Sequence, residues 1–281
     1  MSSNPTLSHV SAAVMQDPWL IQPLWLDVIA EIVDSHMAGK APPTVDRKKS
    51  DAAWCQAGID FIPVYGPIAP KMGLLDNISG GCSVAQLRDA LAAALENQDS
   101  RCVCFLFDSP GGNSKGGFEF ADEIAIARKQ TAKPILAHVE GDCASLAYLF
   151  ASQCDRISMT VGSQAGSIGA YSKFVDRSRM EQNAGMNSVV VRSSPLKGIG
   201  ADAVTGPQLQ HIQARINAMN AMFQSYVMRA RPQVDFAARD MAGMFPARST
   251  EQDLPTAIDC GLVDCVTTRD EIIATYGIRG G

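Results

Sequence analysis

The sequence is poor in the residues from which most metal and histidine-based sites are built. It holds only four histidines (His9, His36, His138 and His211), and none of its cysteines stands in a C-x-x-C pair. No zinc site can be assembled from such spacing, and neither metal nor cofactor is expected. The eight cysteines, at 55, 82, 102, 104, 143, 154, 260 and 265, are spaced irregularly in a long chain, which favours reduced, buried thiols over a disulfide framework. Lysine and arginine form no dense run beyond Arg47-Lys-Lys49, and the net charge is −5, so nucleic acid is not the expected partner. Met1-Ser-Ser-Asn-Pro5 lacks the basic start of a secretory signal. The most apolar early segment, 19–33, is interrupted by Gln22, Pro23, Asp27 and Glu31, too often to span a bilayer. The chain therefore reads as cytoplasmic, with no membrane partner. Internal repeats and low-complexity tracts are also missing.

What is present is an ordinary globular composition, 46% hydrophobic and 19% charged, in a chain long enough for a sizeable core. Trp25, Ile29, Ile32 and Val33 fall at helical spacing within 24–38, and Gly39, Pro42 and Pro43 end the pattern. A polar stretch follows to about residue 53. This defines an N-terminal helical arm and linker (1–53), packed on its own domain or gripping a neighbouring subunit. The body, 54–281, alternates strands with helices. Strands are expected at 59–65, 102–107, 134–139, 156–159 and 188–191. Helices are expected around Val84, Leu87, Leu91 and Leu95, then at 118–128, from 146 to 151, at 207–228 and ending at 256–260. The run Cys102-Val-Cys-Phe-Leu-Phe107 is apolar throughout, as strands buried on both faces are. Such alternation predicts an α/β fold with a mostly parallel sheet flanked by helices. The Met-striped helix 207–228 is read as core or as a subunit interface.

The chemistry concentrates around Gly141-Asp-Cys-Ala-Ser-Leu-Ala-Tyr148. A serine hydroxyl attacks a carbonyl only when a base takes its proton and donors hold the oxyanion. Ser145 falls between the strand 134–139 and a helix, beside the free N–H groups of that helix. Alone, a serine in that place caps the helix. Its neighbours favour a nucleophile instead. Asp108-Ser-Pro-Gly-Gly112 ends an apolar strand, at the sheet edge where α/β folds bind ligands, and Gly111 and Gly112 let the main chain approach a substrate. No histidine lies between His138, which falls inside an apolar strand, and His211, on a polar helix face. The base is then a lysine, which must be neutral and so held in apolar surroundings. Lys197, in Ser193-Ser-Pro-Leu-Lys-Gly-Ile-Gly200, is the preferred candidate. Lys173 has polar and charged neighbours, and Lys115 lies in the glycine turn.

From Ile59 to about Val266 the sequence resembles the signal peptide peptidase A family of serine–lysine proteases. The resemblance rests on Ile62-Pro-Val-Tyr-Gly-Pro-Ile68, Asp108-Ser-Pro-Gly-Gly112, Ala144-Ser145, Gly166-Ser-Ile-Gly169, Lys197 and Gly261-Leu-Val-Asp264. It implies a Clp protease/crotonase-like fold, Ser145 as nucleophile and Lys197 as general base. It also implies oxyanion donors on the N–H groups of Gly111 or Gly112 and of Leu146. Where the family reads Ala-Ser-Gly-Gly, this chain reads Ala-Ser-Leu-Ala, and Leu146 is expected to narrow the cleft. Without a membrane anchor, the chain is similar to the bacteriophage capsid-assembly proteases, which process scaffold and portal proteins inside the prohead of a host cell. That resemblance implies a homo-oligomer and protein substrates, with the chain itself a candidate among them. The alternatives are a cytosolic peptide-degrading relative in bacteria, a catalytically idle shell protein on the same fold, and a crotonase-like acyl-CoA enzyme that would need neither Ser145 nor Lys197.

Overall fold

A computed structural model describes residues 18–37, 52–71, 81–173, 182–183, 185, 189–199, 204–251 and 253–278. Most of the expected linker lies outside them. Three crossover units build the centre. Strand β3 (Ile59–Tyr65) leads through helix α2 (Val84–Glu96) to β6 (Cys102–Ser109). Helix α3 (Gly117–Gln130) then carries the chain to β8 (Ile135–Ala144), and α4 (Leu146–Ser152) carries it to β9 (Arg156–Met159). All these strands pair in parallel, β3 with β6, β6 with β8 and β8 with β9. The expected α/β architecture with a mostly parallel sheet is the observed one. The sheet is completed by β10 (Gln164–Gly166), parallel to the far end of β8, and by β12 (Cys265–Val266), parallel to β9. Two antiparallel edges, β2 (Trp54–Gln56) on β3 and β11 (Met244–Pro246) on β10, close it.

Sequence explains the layering. β3 is buried along its whole length and β6 nearly so, because helices and loops cover both faces. One face packs Phe105 and Phe107 against Phe120 of α3 and Phe150 of α4. Helix α2 starts at a reciprocal capping box, in which Gln86 N–H donates to Ser83 Oγ and Ser83 N–H donates to Gln86 Oε1, both at 3.2 Å. Its buried face is Val84, Leu87, Leu91 and Ala94. The chain's later elements are the long α5 (Gly206–Ala230) and α6 (Arg269–Tyr276). Gly261-Leu-Val-Asp264 works as a clamp. Arg231, almost wholly buried, makes a bidentate pair with Asp264 (2.8 and 2.9 Å), whose Oδ2 also accepts from Ile157 N–H at 2.7 Å. Tyr148 donates its hydroxyl to Leu262 O at 2.9 Å. Burial works to raise the Asp264 carboxyl, but the Arg231 and Ile157 hydrogen bonds outweigh it and hold it below its ordinary value.

A second, four-stranded sheet places β7 (Gly111–Asn113) between β1 (Trp19–Ile21) and β4 (Ile68–Ala69), with β5 (Cys82–Ser83) beyond β4. β1 belongs to the N-terminal arm, and no strand was expected there. After it, α1 (Pro23–Met37) packs on its own chain through Leu26, Ile29 and Ile32. Two expectations need correction. Residues 189–191 form no strand: Val189 and Val191 are 79% and 92% exposed, because β-branched residues make a strand only where an edge is available to pair with. Residues 256–260 form hydrogen-bonded turns in place of a helix end.

All eight cysteines are free and six are buried, which agrees with the expected reduced thiols; burial pushes the Cys102 thiol up to about 12. His138 is a core residue, fully buried, with Nδ1 2.9 Å from Ser158 Oγ. Burial lowers its pKa to about 4, against the opposing pull of Glu140. The unfolded chain therefore binds a proton near pH 6.5 that the folded chain refuses until about pH 4. Stability falls as pH drops through that window, by about 3 kcal/mol for this group. Melting curves recorded from pH 7 to 4 should show the decline, and His138→Asn, which keeps a partner for Ser158, should flatten it.

Candidate active site

β8 ends at Ala144, and Ser145 turns the chain directly into α4. The turn places Ser145 at φ 54° and ψ −115°, a backbone state that a residue with a Cβ adopts only when its surroundings hold it there. Two hydrogen bonds hold it. Ser145 N–H donates to Gly166 O at 2.9 Å, and Ser145 O accepts from Leu149 N–H at 3.0 Å. The side chain makes none. Ser145 is wholly buried, and its Oγ has no hydrogen-bond partner among the described residues. A capping serine would accept an N–H of the first helical turn, and α4 has no such bond. Leaving a buried hydroxyl unsatisfied costs roughly 1–3 kcal/mol. Strain and an unpaired buried hydroxyl on one residue make Ser145 a candidate reactive group.

The Pro-Gly-Gly turn meets this serine directly. Gly111 has φ 98°, and a Cβ there would lie 2.2 Å from Leu20 O, 3.0 Å from Ala144 O and 3.0 Å from Ser145 Cβ. Only glycine fits. Its N–H donates to Ser109 Oγ at 3.2 Å, and Ser109 Oγ in turn donates to Gly66 O at 2.7 Å. Gly111 N–H is thus already engaged. Gly112 is as closely packed, since a Cβ there would stand 1.9 Å from Ile68 O. Leu146 opens α4, where first-turn N–H groups lack intrahelical acceptors. Its side chain does not narrow the cleft as expected. It is buried in the core, with Cδ1 2.5 Å from where a Cβ on Gly117 would be, so the small residue at 117 makes room for the large one at 146.

Gly166-Ser-Ile-Gly169 runs beside the serine, joined to it by the Ser145 N–H bond to Gly166 O. Ser167 N–H donates to Gly243 O at 2.8 Å, Ile168 N–H donates to Met241 O at 2.8 Å, and Ser167 itself has φ 53°. On the far side of the serine, Asp142 N–H donates to Asp108 Oδ1 at 3.2 Å, and Asp142 Oδ2 accepts from Gln22 Nε2 at 3.3 Å. Burial, reinforced by Asp108, raises the Asp142 carboxyl despite the Gln22 hydrogen bond. The roles of the Gly166 carbonyl, Tyr171 and residues 19–22 were not read from sequence. A signal existed for the last: Pro18 and Pro23 bracket a short apolar stretch, and the residue before a proline favours extended backbone.

The candidate lysines separate. Lys173 pairs with Asp27 of α1 on the surface. Lys115 is exposed beside Asn113, whose Oδ1 accepts its N–H at 3.0 Å. Lys197 sits in a turn closed by its N–H to Ser194 O at 3.0 Å, and it is exposed. With Ser145 Oγ unpartnered, the Lys197 amine is not hydrogen-bonded to it in this arrangement.

A strained serine between a central strand and a helix, faced by a glycine strand, has the form of a hydrolase nucleophile elbow. The chain belongs to peptidase family S49, whose model matches residues 127–277. Ser145 and Lys197 lie inside the match, and Gly111 and Gly112 precede it. The chain is 28% identical to the head-tail preconnector protein GP5 of Enterobacteria phage P21, over 98% of this chain and 59% of that protein. It is 23% identical to the capsid assembly protease C of Escherichia phage lambda, over 92% of this chain and 62% of that protein. Protease 4 of Salmonella typhi matches at 25% identity, over 48% of this chain and 21% of its own length. The chain thus spans roughly three-fifths of the two phage proteins it matches. Among the described residues no helix is long and apolar enough to cross a membrane, and no group of side chains could hold a metal ion.

Proposed function

We propose that this peptidase is an endopeptidase with a Ser145–Lys197 dyad, acting on scaffold and portal proteins during bacteriophage capsid assembly. The observation that carries the reading is Ser145 itself, strained at a strand–helix junction with a buried, unpaired Oγ. Ser145 Oγ attacks the scissile carbonyl, Lys197 takes its proton and returns it to the leaving amine, and water then hydrolyses the ester. The N–H groups of Gly112 and Leu146 hold the oxyanion. Gly111 N–H is held by Ser109 within the turn, while Gly112 lies on the β7 edge that pairs with an adjacent strand, which favours Gly112 for that role, and the missing Cβ of Gly111 leaves room for a carbonyl beside the nucleophile. The capsid context is supported by the names of the two phage relatives, and the soluble setting inside a prohead follows from it.

The dyad is completed when copies of the chain assemble. Lys197 is exposed in the single chain, close in sequence to the exposed Val189, Val191 and Leu196, side chains that favour a protein contact over water. Lys197→Ala should lower cleavage of the scaffold protein by at least about a hundredfold. Mixing it with the Ser145→Ala chain should restore part of the activity if serine and lysine come from different copies. Absence of any recovery, with mixed oligomers demonstrated by mass, would place both residues in one chain.

A further inference from the structure

Ser145 is fully buried, so a peptide arriving from solution cannot reach its hydroxyl until something moves. The segment against it is the chain's own β1, seated in a slot between two backbone edges. On one edge β1 pairs antiparallel with β7, with Leu20 opposite Gly112 and Ile21 opposite Gly111, and Gln22 N–H donates to Pro110 O at 2.9 Å. On the other edge Trp19 N–H donates to Tyr171 O at 3.0 Å and Tyr171 N–H donates to Trp19 O at 3.2 Å. β7 thus holds the strand along Trp19–Ile21 and Tyr171 holds it at Trp19, and Trp19, Leu20 and Ile21 are 5%, 0% and 2% exposed.

The register is that of a peptide presented to the serine. Hydrogen bonds in an antiparallel pair recur at every second residue. With Gln22 bonded to Pro110, the next pair is Leu20 with Gly112, the proposed oxyanion donor. The Leu20 carbonyl oxygen and Ser145 Cβ also flank one point, lying 2.2 Å and 3.0 Å from the position of a Cβ on Gly111. Beyond the serine, Gln22 Nε2 reaches Asp142 Oδ2 at 3.3 Å.

We propose that residues 18–22 are the resident occupant of the peptide groove, bound as a substrate strand would be, and that they keep the enzyme latent until they withdraw. The proposal rests on the peptidase reading above and names what the groove takes: an extended segment, antiparallel to 111–113, with a bulky apolar side chain where Leu20 sits.

Accessibility of position 145 tests occupancy without relying on catalysis. Ser145→Cys is made in the full chain, in the full chain with Leu20→Asp, and in a chain lacking residues 1–22. The thiols are treated with iodoacetamide, and the rate at residue 145 is read by peptide mass mapping against exposed Cys55, with circular dichroism confirming the fold. At least a tenfold faster reaction at 145 is expected in both displaced forms, reversed by adding the synthetic peptide Asp-Pro-Trp-Leu-Ile-Gln. Equal rates in all three chains would overturn the proposal. With Ser145 present, the same two changes should speed cleavage of fluorescein-labelled casein at least tenfold. Faster alkylation without any serine-dependent casein cleavage would leave the occupancy standing and remove the peptidase reading.

Discussion

Ser145→Ala is expected to reduce scaffold cleavage by at least about a thousandfold, because in the proposed mechanism Ser145 is the nucleophile and its removal leaves only binding and oxyanion stabilisation. The same change should not destabilise the fold. Ser145 Oγ is buried without a partner, so its removal lifts a desolvation cost, and a rise in stability of up to about 1 kcal/mol is expected. The two effects together are diagnostic. A structural serine would lose stability with its hydroxyl, whereas a serine held ready for chemistry loses activity and gains stability. Thermal melting and product analysis on one preparation measure both.

Gly112→Ala should damage both fold and function. The added methyl would lie 1.9 Å from Ile68 O, 2.7 Å from its carbonyl carbon and 2.8 Å from its Cα. All three are backbone atoms of the paired strand β4, so no rotamer change relieves the overlap. β7 must shift away from β4, and β1 pairs along its other edge. Destabilisation of about 2–4 kcal/mol is expected, seen as a lower denaturation midpoint. Activity should fall by at least about a hundredfold as the proposed oxyanion donor moves. Gly162→Ala is the control, since nothing lies within 4 Å of the added methyl there, and it should behave as wild type.

What could be read from sequence was what is local. The apolar run 102–107 and the spacing of Val84, Leu87 and Leu91 signal their elements within a few positions. Ser145 was visible as a junction residue because the strand before it and the helix after it are both short-range patterns. Side-chain direction was not visible. Leu146 looked like an obstruction in the cleft, yet its orientation is set by Gly117 on another helix. β1 was missed because its partners, 111–113 and Tyr171, are distant in sequence and no periodicity marks a three-residue strand. Val189 and Val191 misled in the opposite sense, since their β-branched side chains suggested a strand where the fold offers no edge. Lys197 was found by elimination among residue types, a method that selects a residue but says nothing about which way its amine points.

Covalent attack by Ser145, as proposed, would leave an acyl-enzyme. The chain with residues 1–22 removed is mixed with the phage scaffold protein, quenched in acid within the first turnover and mapped by mass. An ester-linked substrate fragment is expected on the peptide that carries Ser145, absent from the Ser145→Ala chain. Scaffold cleavage that proceeds in the Ser145→Ala chain, or an adduct on any other residue, would contradict it.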